Sequence, residues 1–200
     1  MSLKLENKRA EVYSFLSRLY LHEVDKAMFS ALKNIAVPDS SDSPLWKSGW
    51  SDLAEYINSH DESCLEELEV DYARVFLSAG VAQGRAAFPY ESVYTSGKKQ
   101  LGGLPDEKVA ETYLSYGLDP SSAGYKVPND HIGLELGFMA HICGKSKDEQ
   151  LSFLKQHLFR WYAGFCADVR KYSSTGFYKA VADITCGFME FEKMWIGEEV

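Results

Sequence analysis

The chain has 200 residues, of which 46% are hydrophobic and 14% aromatic. This composition predicts a folded protein with a substantial core and excludes an intrinsically disordered chain. Its 29 acidic residues outnumber the 21 basic ones, and the formal net charge of −8 argues against binding to nucleic-acid phosphates as the main function. The same charge favours a basic partner, such as a peptide that carries arginines.

The N-terminal residues contain no continuous apolar segment of the kind found in a secretory signal peptide, and no stretch of about 18 apolar residues occurs in the sequence. We therefore expect a soluble, cytoplasmic protein. The four cysteines, Cys64, Cys143, Cys166 and Cys186, have no C-x-x-C spacing, and three of them fall in apolar helical stretches. They are predicted to be reduced core thiols and not a disulfide framework or a zinc site.

Apolar residues recur at helical spacing through the first part of the chain. The pattern predicts four helices, over about residues 6–22, 23–35, 46–57 and 63–78. Residues 37–44 are rich in proline, serine and aspartate, which indicates a loop.

The helical pattern stops between residues 80 and 104. This segment contains five glycines and Pro89, so it cannot form one continuous helix. A connection of this length inside a compact domain is usually functional or mobile. We predict that the 80–104 loop acts as a hinge between an N-terminal and a C-terminal group of helices, and that it permits exchange of halves between two chains.

The second part of the chain is again helical. Pro105 opens a helix that stops at Gly117, and residues 126–144 contain a helix that Pro128 starts and that Asn129 and Asp130 cap. A long helix from about residue 154 to 173 and a last helix after Gly176 follow. Because no strand pair, hairpin or linker is evident, residues 1–200 are predicted to form a single all-α helical bundle domain.

The helix within residues 126–144 has no wide polar face, yet it contains Asp130, His131, Glu135 and His141. A buried charge without a partner costs several kcal/mol, so these groups must be paired or must line an opening. Two interpretations remain open at this point. Asp130 is a helix cap and His131 pairs with Glu135 at i,i+4, or Asp130, His131 and Glu135 bind a metal ion. No second histidine has the spacing of a zincin motif.

The segment 88–94 combines aromatic rings with one fixed charge. Phe88, Tyr90 and Tyr94 offer flat apolar area, Pro89 stiffens the backbone, and the Glu91 carboxylate can accept an arginine guanidinium. The set suits peptide capture. In the alternative interpretation, the rings fill gaps in the core and Glu91 caps the neighbouring backbone. Motifs of serine hydrolases, P-loop proteins and Rossmann folds are missing from the sequence, so neither catalytic residues nor a cofactor is predicted.

Three motifs in this order resemble the TorD/DmsD family of redox-enzyme maturation chaperones. They are YARVF at 72–76, PYESVY at 89–94 and VPNDHI at 127–132. The resemblance runs along nearly the whole chain. It implies a cytoplasmic, non-catalytic chaperone that binds the twin-arginine signal peptide or the body of a molybdopterin oxidoreductase and holds it until the cofactor is inserted, before export.

The implied partners are therefore the twin-arginine signal peptide and the apo form of a molybdoenzyme catalytic subunit, and the protein is expected to be a monomer or a domain-exchanged homodimer. In the predicted groove, aromatic rings bind the apolar part of the peptide, and Glu91, Asp130 and Glu135 bind its arginines. His131 lies beside Asp130, either as a hydrogen-bond donor or as a pH-sensitive neighbour. The alternative function is a metal- or nucleotide-dependent enzyme with its site around Asp130, His131 and Glu135. The predicted peptide-binding residues are Tyr72, Phe76, Pro89, Tyr90, Glu91, Ser92, Tyr94, Pro128, Asp130, His131 and Glu135.

Overall fold

The computed structural model describes residues 2–35, 43–80, 85–97 and 100–197. It is 71% helical, and the described residues form ten α-helices, two short 3-10 turns and no strand, which confirms the predicted all-α class. The helices are α1 (Ser2–Leu21), α2 (Lys26–Leu32), α3 (Pro44–Ser59), α4 (Leu65–Phe76), α5 (Glu91–Thr95), α6 (Leu104–Ser115), α7 (Ile132–Ile142), α8 (Lys147–Gln156), α9 (Tyr162–Tyr172) and α10 (Gly176–Ile196).

The chain is divided into two compact units. The first unit consists of Met1–His22 and Pro89–Tyr162, and the second of Glu23–Phe88 and Ala163–Val200. The boundary between Phe88 and Pro89 lies inside the 80–104 loop. The single-domain organisation and the hinge stay predictions.

In the first unit, α7 packs against α1 at very short range. A Cβ atom on Gly133 would lie 2.5 Å from Cγ of Leu21, so only glycine fits at this position. Ser17 of α1 also holds this contact, because its hydroxyl donates a hydrogen bond to the backbone oxygen of Gly133 at 2.7 Å. As predicted, α7 is enclosed over most of its length, although His141 near its end is exposed.

In the second unit, α3 and α10 form the corresponding close pair. A Cβ on Gly187 of α10 would lie 2.7 Å from the Cα of Trp46, and a Cβ on Gly49 of α3 would lie 2.7 Å from the backbone nitrogen of Ile184. Each helix therefore presents a glycine to the backbone of the other. This contact gives α10 its deeply buried face and supports the aromatic core of the unit.

Three predicted segments differ from the structure in the first half of the chain. Helix α1 begins at Ser2 and not near residue 6. Most of the predicted 37–44 loop lies outside the described residues, but α3 already begins at Pro44, because the Ser43 hydroxyl caps the Trp46 nitrogen. The 80–104 loop contains the five-residue helix α5, which was not predicted because the glycines of the segment indicated a loop.

The prediction of one long helix over about residues 154–173 is wrong. Helix α8 ends at Gln156, a 3-10 turn follows, and α9 starts at Tyr162. His157 has φ −124° and ψ −94°, which takes the chain out of the helical conformation. In this conformation the His157 imidazole contacts the Glu91 carboxylate, which is 66 residues away in sequence, so spacing within the helix could not indicate the break.

All four cysteines are buried, and none of them forms a disulfide. No helix in the described part of the chain combines the length and the apolar character that a membrane span requires.

Candidate functional site

The segments 89–94 and 127–132, which the sequence singled out separately, pair with each other in the first unit. The Ile132 nitrogen donates to the Pro89 oxygen at 2.8 Å, and the Glu91 nitrogen donates to the Asp130 oxygen at 2.9 Å. Tyr90 and His131 thus form an isolated antiparallel bridge. Two backbone hydrogen bonds fix the start of α5 beside the start of α7.

Asp130 is a helix cap, but it caps α5 and not α7 as predicted. One oxygen of its buried carboxyl group accepts a hydrogen bond from the Ser92 nitrogen at 2.8 Å, and the other has no partner among the described residues. Burial raises the pKa of Asp130, and the charges of Asp106 and Glu91 add to the rise, against the hydrogen bonds from Ser92. Asp130 is therefore a capping group for which ionisation is costly.

Helix α7 begins at Ile132 and not at Pro128, because His131 is its N-cap. The His131 Nδ1 accepts a hydrogen bond from the Gly133 nitrogen at 3.0 Å. Asn129, the other predicted cap, instead donates its backbone N–H to Asp106 at 2.6 Å. Burial lowers the pKa of His131 to about 3, so the ring is neutral at physiological pH, in contrast to the predicted pH-sensitive role.

Glu91 is buried and does not cap the neighbouring backbone. One carboxylate oxygen lies 2.8 Å from Nδ1 of His157, and the other accepts a hydrogen bond from Arg160 at 3.3 Å. A buried carboxylate with two such partners is satisfied inside the protein. Glu91 therefore ties α5 to the break between α8 and α9.

Glu135 forms no i,i+4 pair with His131. Its carboxyl group accepts a hydrogen bond from the Trp161 indole nitrogen at 3.1 Å, and its other oxygen has no partner in the described part of the chain. Burial raises the pKa of Glu135 well above its usual range, and Glu91 and Asp130 add to this effect. Glu135 therefore stays protonated to a higher pH than an exposed glutamate does.

The variant Glu135→Gln is expected to match the wild type in free energy of unfolding at about pH 4, and its advantage is expected to grow as the pH rises, to about 1 kcal/mol or more at about pH 9. The pKa of Glu135 is raised in the folded state, so its stabilising contribution is complete at low pH and is lost as the pH rises through the folded value. Urea unfolding across this range measures the difference. Glu66→Gln, on the exposed face of α4, is the control, and an equal pH dependence in both variants would contradict the assignment.

The predicted aromatic contacts are distributed over both units. Tyr94 stacks on Trp161 with ring centroids 5.6 Å apart, and Tyr90 meets His131 edge-on at 5.2 Å. Both tyrosines stay partly exposed, as does Pro128. Tyr72 and Phe76 lie in the second unit, where they are buried in a cluster with Phe165 and Tyr178.

Within the first unit, the structure thus brings together the nine predicted site residues that lie there, and it buries most of them. The carboxylate contacts are completed by three residues that the sequence pattern did not predict, His157, Arg160 and Trp161. The only available signal was that a histidine, an arginine and a tryptophan cluster within five positions of an apolar helical pattern. Among the residues that the structure describes, no group of three potential metal ligands occurs.

Comparison with known proteins gives consistent matches over most of the chain. The family model described as nitrate reductase delta subunit matches residues 39–167. The chaperone protein TorD of Vibrio cholerae serotype O1 (strain ATCC 39315 / El Tor Inaba N16961) is 27% identical, with 97% of this chain and 94% of that one covered. TorD of Shewanella sp. (strain MR-4) is 28% identical, with 100% and 99% covered.

A crystal structure of a candidate redox enzyme maturation protein from Archaeoglobus fulgidus has the same fold. The TM-score is 0.58 at 22% identity, and the match covers 91% of this chain and 93% of that one. At this level of identity the match is evidence for the fold alone.

The fold and the relatives define a helical maturation chaperone and not an enzyme, which confirms the predicted class. The chain belongs to the nitrate reductase delta subunit family, in agreement with its resemblance to the TorD/DmsD chaperones.

Proposed function

We propose that this protein is a cytoplasmic chaperone that binds the twin-arginine signal peptide, the body of an apo-molybdopterin oxidoreductase, or both. It holds this client until the cofactor is inserted, before export. The observation that carries the proposal is the pairing of residues 89–92 with residues 130–132, because it builds one local structure from two motifs that the TorD-like resemblance singles out. The TorD name of its relatives supports the chaperone role.

Within the proposed site, exposure separates contact residues from supporting residues. Tyr90, Tyr94 and Pro128 keep accessible surface and contact the apolar part of the peptide. Their positions are supported by buried residues, each of which makes at least one hydrogen bond inside the protein. These supporting residues are Pro89, Glu91, Ser92, Asp130, His131 and Glu135.

The two remaining predicted peptide contacts, Tyr72 and Phe76, lie in the second unit. Their rings are nearly inaccessible in the free protein, so a contact with the client requires local opening of their cluster. The role of these two residues as peptide contacts stays a prediction. The formal net charge of −8 attracts a cationic peptide to either unit.

Calorimetric titration with a panel of twin-arginine signal peptides tests the proposal. Each peptide is compared with a copy in which both arginines are replaced by lysine, which conserves charge but removes the planar guanidinium groups. We expect one peptide to bind, and its lysine copy to bind about tenfold more weakly, since an arginine pair with a carboxylate has bidentate geometry. Absence of binding by every peptide, with capture of the folded apo-oxidoreductase intact, would restrict the function to the enzyme body.

A further inference from the structure

Two of the four cysteines lie on consecutive helices of the second unit. Cys166 is in α9 and Cys186 is in α10, and only residues 173–175 connect the two helices. A connection this short makes consecutive helices antiparallel neighbours. Arg170 of α9 and Asp183 of α10 bond to each other, which fixes the register of one helix against the other.

That register places the two thiols side by side. Cys166 lies one turn before Arg170, and Cys186 lies about one turn after Asp183, so both cysteines are one turn farther from the connection than this ion pair. The Cys166 and Cys186 side chains are accordingly hydrogen-bond partners. Proximity of the two side chains is the first requirement for a disulfide.

The two thiols differ in exposure and in charge. Cys166 is completely buried, and burial raises its pKa well above the usual range. Cys186 keeps 6% of its surface exposed. The hydrogen bond from Cys166 lowers the pKa of Cys186, and the Arg170 guanidinium adds to this effect, against burial. Cys186 is therefore the thiolate of the pair, and Cys166 is its proton donor.

The ion pair next to the thiols gives them a polar connection to the surface. The side chains of Arg170 and Asp183 are 31% and 20% exposed, so the thiols lie directly beneath the surface. The Nη2 atom of Arg170 is buried and has no hydrogen-bond partner among the described residues. A guanidinium with a free N–H can stabilise negative charge that develops on an oxygen atom beside Cys186.

We propose that Cys166 and Cys186 form a dithiol that hydroperoxides oxidise to a disulfide. The Cys186 thiolate attacks one peroxide oxygen and becomes a sulfenic acid, while the O–O bond breaks and the other oxygen leaves with a proton as water or an alcohol. The Cys166 sulfur then attacks the Cys186 sulfur, and hydroxide leaves with the Cys166 proton as water. Two electrons pass from the two thiols to the peroxide. This modification site is independent of the proposed client.

Peptide mapping of the oxidised wild-type chain tests the assignment. The folded protein is treated with hydrogen peroxide, the remaining thiols are blocked, and a tryptic digest is analysed by mass spectrometry. Cys166 and Cys186 fall in separate tryptic peptides, 161–170 and 180–193. We expect these two peptides to appear joined, two hydrogen atoms lighter than their sum, and to separate after treatment with dithiothreitol.

Cys64 is the internal control, because it lies in the same unit and is also 6% exposed. Burial raises the pKa of the Cys64 thiol, and the charges of Glu67 and Asp61 add to the rise. We expect the Cys186 thiol to be lost about tenfold faster than the Cys64 thiol, since the thiolate is the reactive form. Loss of Cys186 no faster than that of Cys64, or its oxidation without the joined peptides, would overturn the proposal.

The variant Cys166→Ser separates the two chemical steps. Without the second thiol, oxidation of Cys186 is expected to stop at the sulfenic acid, which dimedone traps on peptide 180–193. Cys186→Ser removes the attacking thiolate, and Cys166 is then expected to react no faster than Cys64. Fast oxidation of Cys166 in this second variant would assign the nucleophile to the wrong sulfur and overturn the proposed sequence. The wild-type measurement decides even where a variant fails to fold.

Discussion

Replacement of Asp130 by alanine is expected to lower the free energy of unfolding by about 1–3 kcal/mol and to weaken signal-peptide binding about tenfold or more. The Asp130 carboxyl group is the acceptor for the Ser92 nitrogen, so its loss leaves a buried N–H unsatisfied at the start of α5. The paired segments then lose their alignment, and the partly exposed Tyr90 and Tyr94 move with α5. Urea unfolding and calorimetric titration of the same preparation measure the two effects.

Asp130→Asn separates the capping role from a direct charge contact. The asparagine oxygen can accept the Ser92 hydrogen bond, and the variant removes a charge that burial disfavours. We expect both stability and peptide affinity to remain near the wild-type values. If Asp130→Asn folds normally but loses the arginine peptide, the carboxylate contacts the peptide directly, and the supporting role proposed here is wrong.

Most helices of this protein could be predicted from the sequence, because the pattern that indicates a helix lies within the helix itself. Spacing of apolar residues at i, i+3 and i+4 depends only on the helix that contains them, and it located α1, α3, α4, α6 and α10 with small errors at the ends. The five-residue helix α5 could not be found in this way, since it is too short to show a period.

The polar contacts of the site could not be predicted, because they join residues that are far apart in the sequence. Asp130 caps a nitrogen 38 residues away, and His157 leaves the helical conformation to reach a carboxylate 66 residues away. The sequence pattern indicated that Asp130, His131 and Glu135 are paired or line an opening, because unpaired burial is costly. In the structure each of them makes a hydrogen bond, while one oxygen of Asp130 and one of Glu135 have no partner among the described residues. Which partners they have depends on the tertiary arrangement of the first unit, which no local spacing encodes.

The second large effect is expected in the second unit, at Asp71. Asp71→Ala is expected to lower the free energy of unfolding by about 3–5 kcal/mol, because it removes a buried carboxylate that accepts four hydrogen bonds. The Asp71 carboxylate accepts hydrogen bonds from the backbone nitrogens of Ser174 and Thr175 at 3.0 and 2.9 Å, from the Thr175 hydroxyl at 2.6 Å and from Arg74 at 2.6 Å. These donors fix the turn between α9 and α10. Equilibrium unfolding in urea gives the difference.

The pH dependence of this difference identifies its source. Burial alone would raise the pKa of Asp71, but the hydrogen bonds from Thr175, Ser174 and Arg74 outweigh it and lower the pKa below the usual range. The contribution of Asp71 is therefore complete above its unfolded pKa of about 4 and is lost as the pH falls through the lower folded value, in the direction opposite to Glu135. The control Glu69→Ala, on the exposed face of the same helix, should cost less than about 0.5 kcal/mol. A loss in Asp71→Ala as small as this, or one that does not shrink in acid, would mean that the network does not hold the turn.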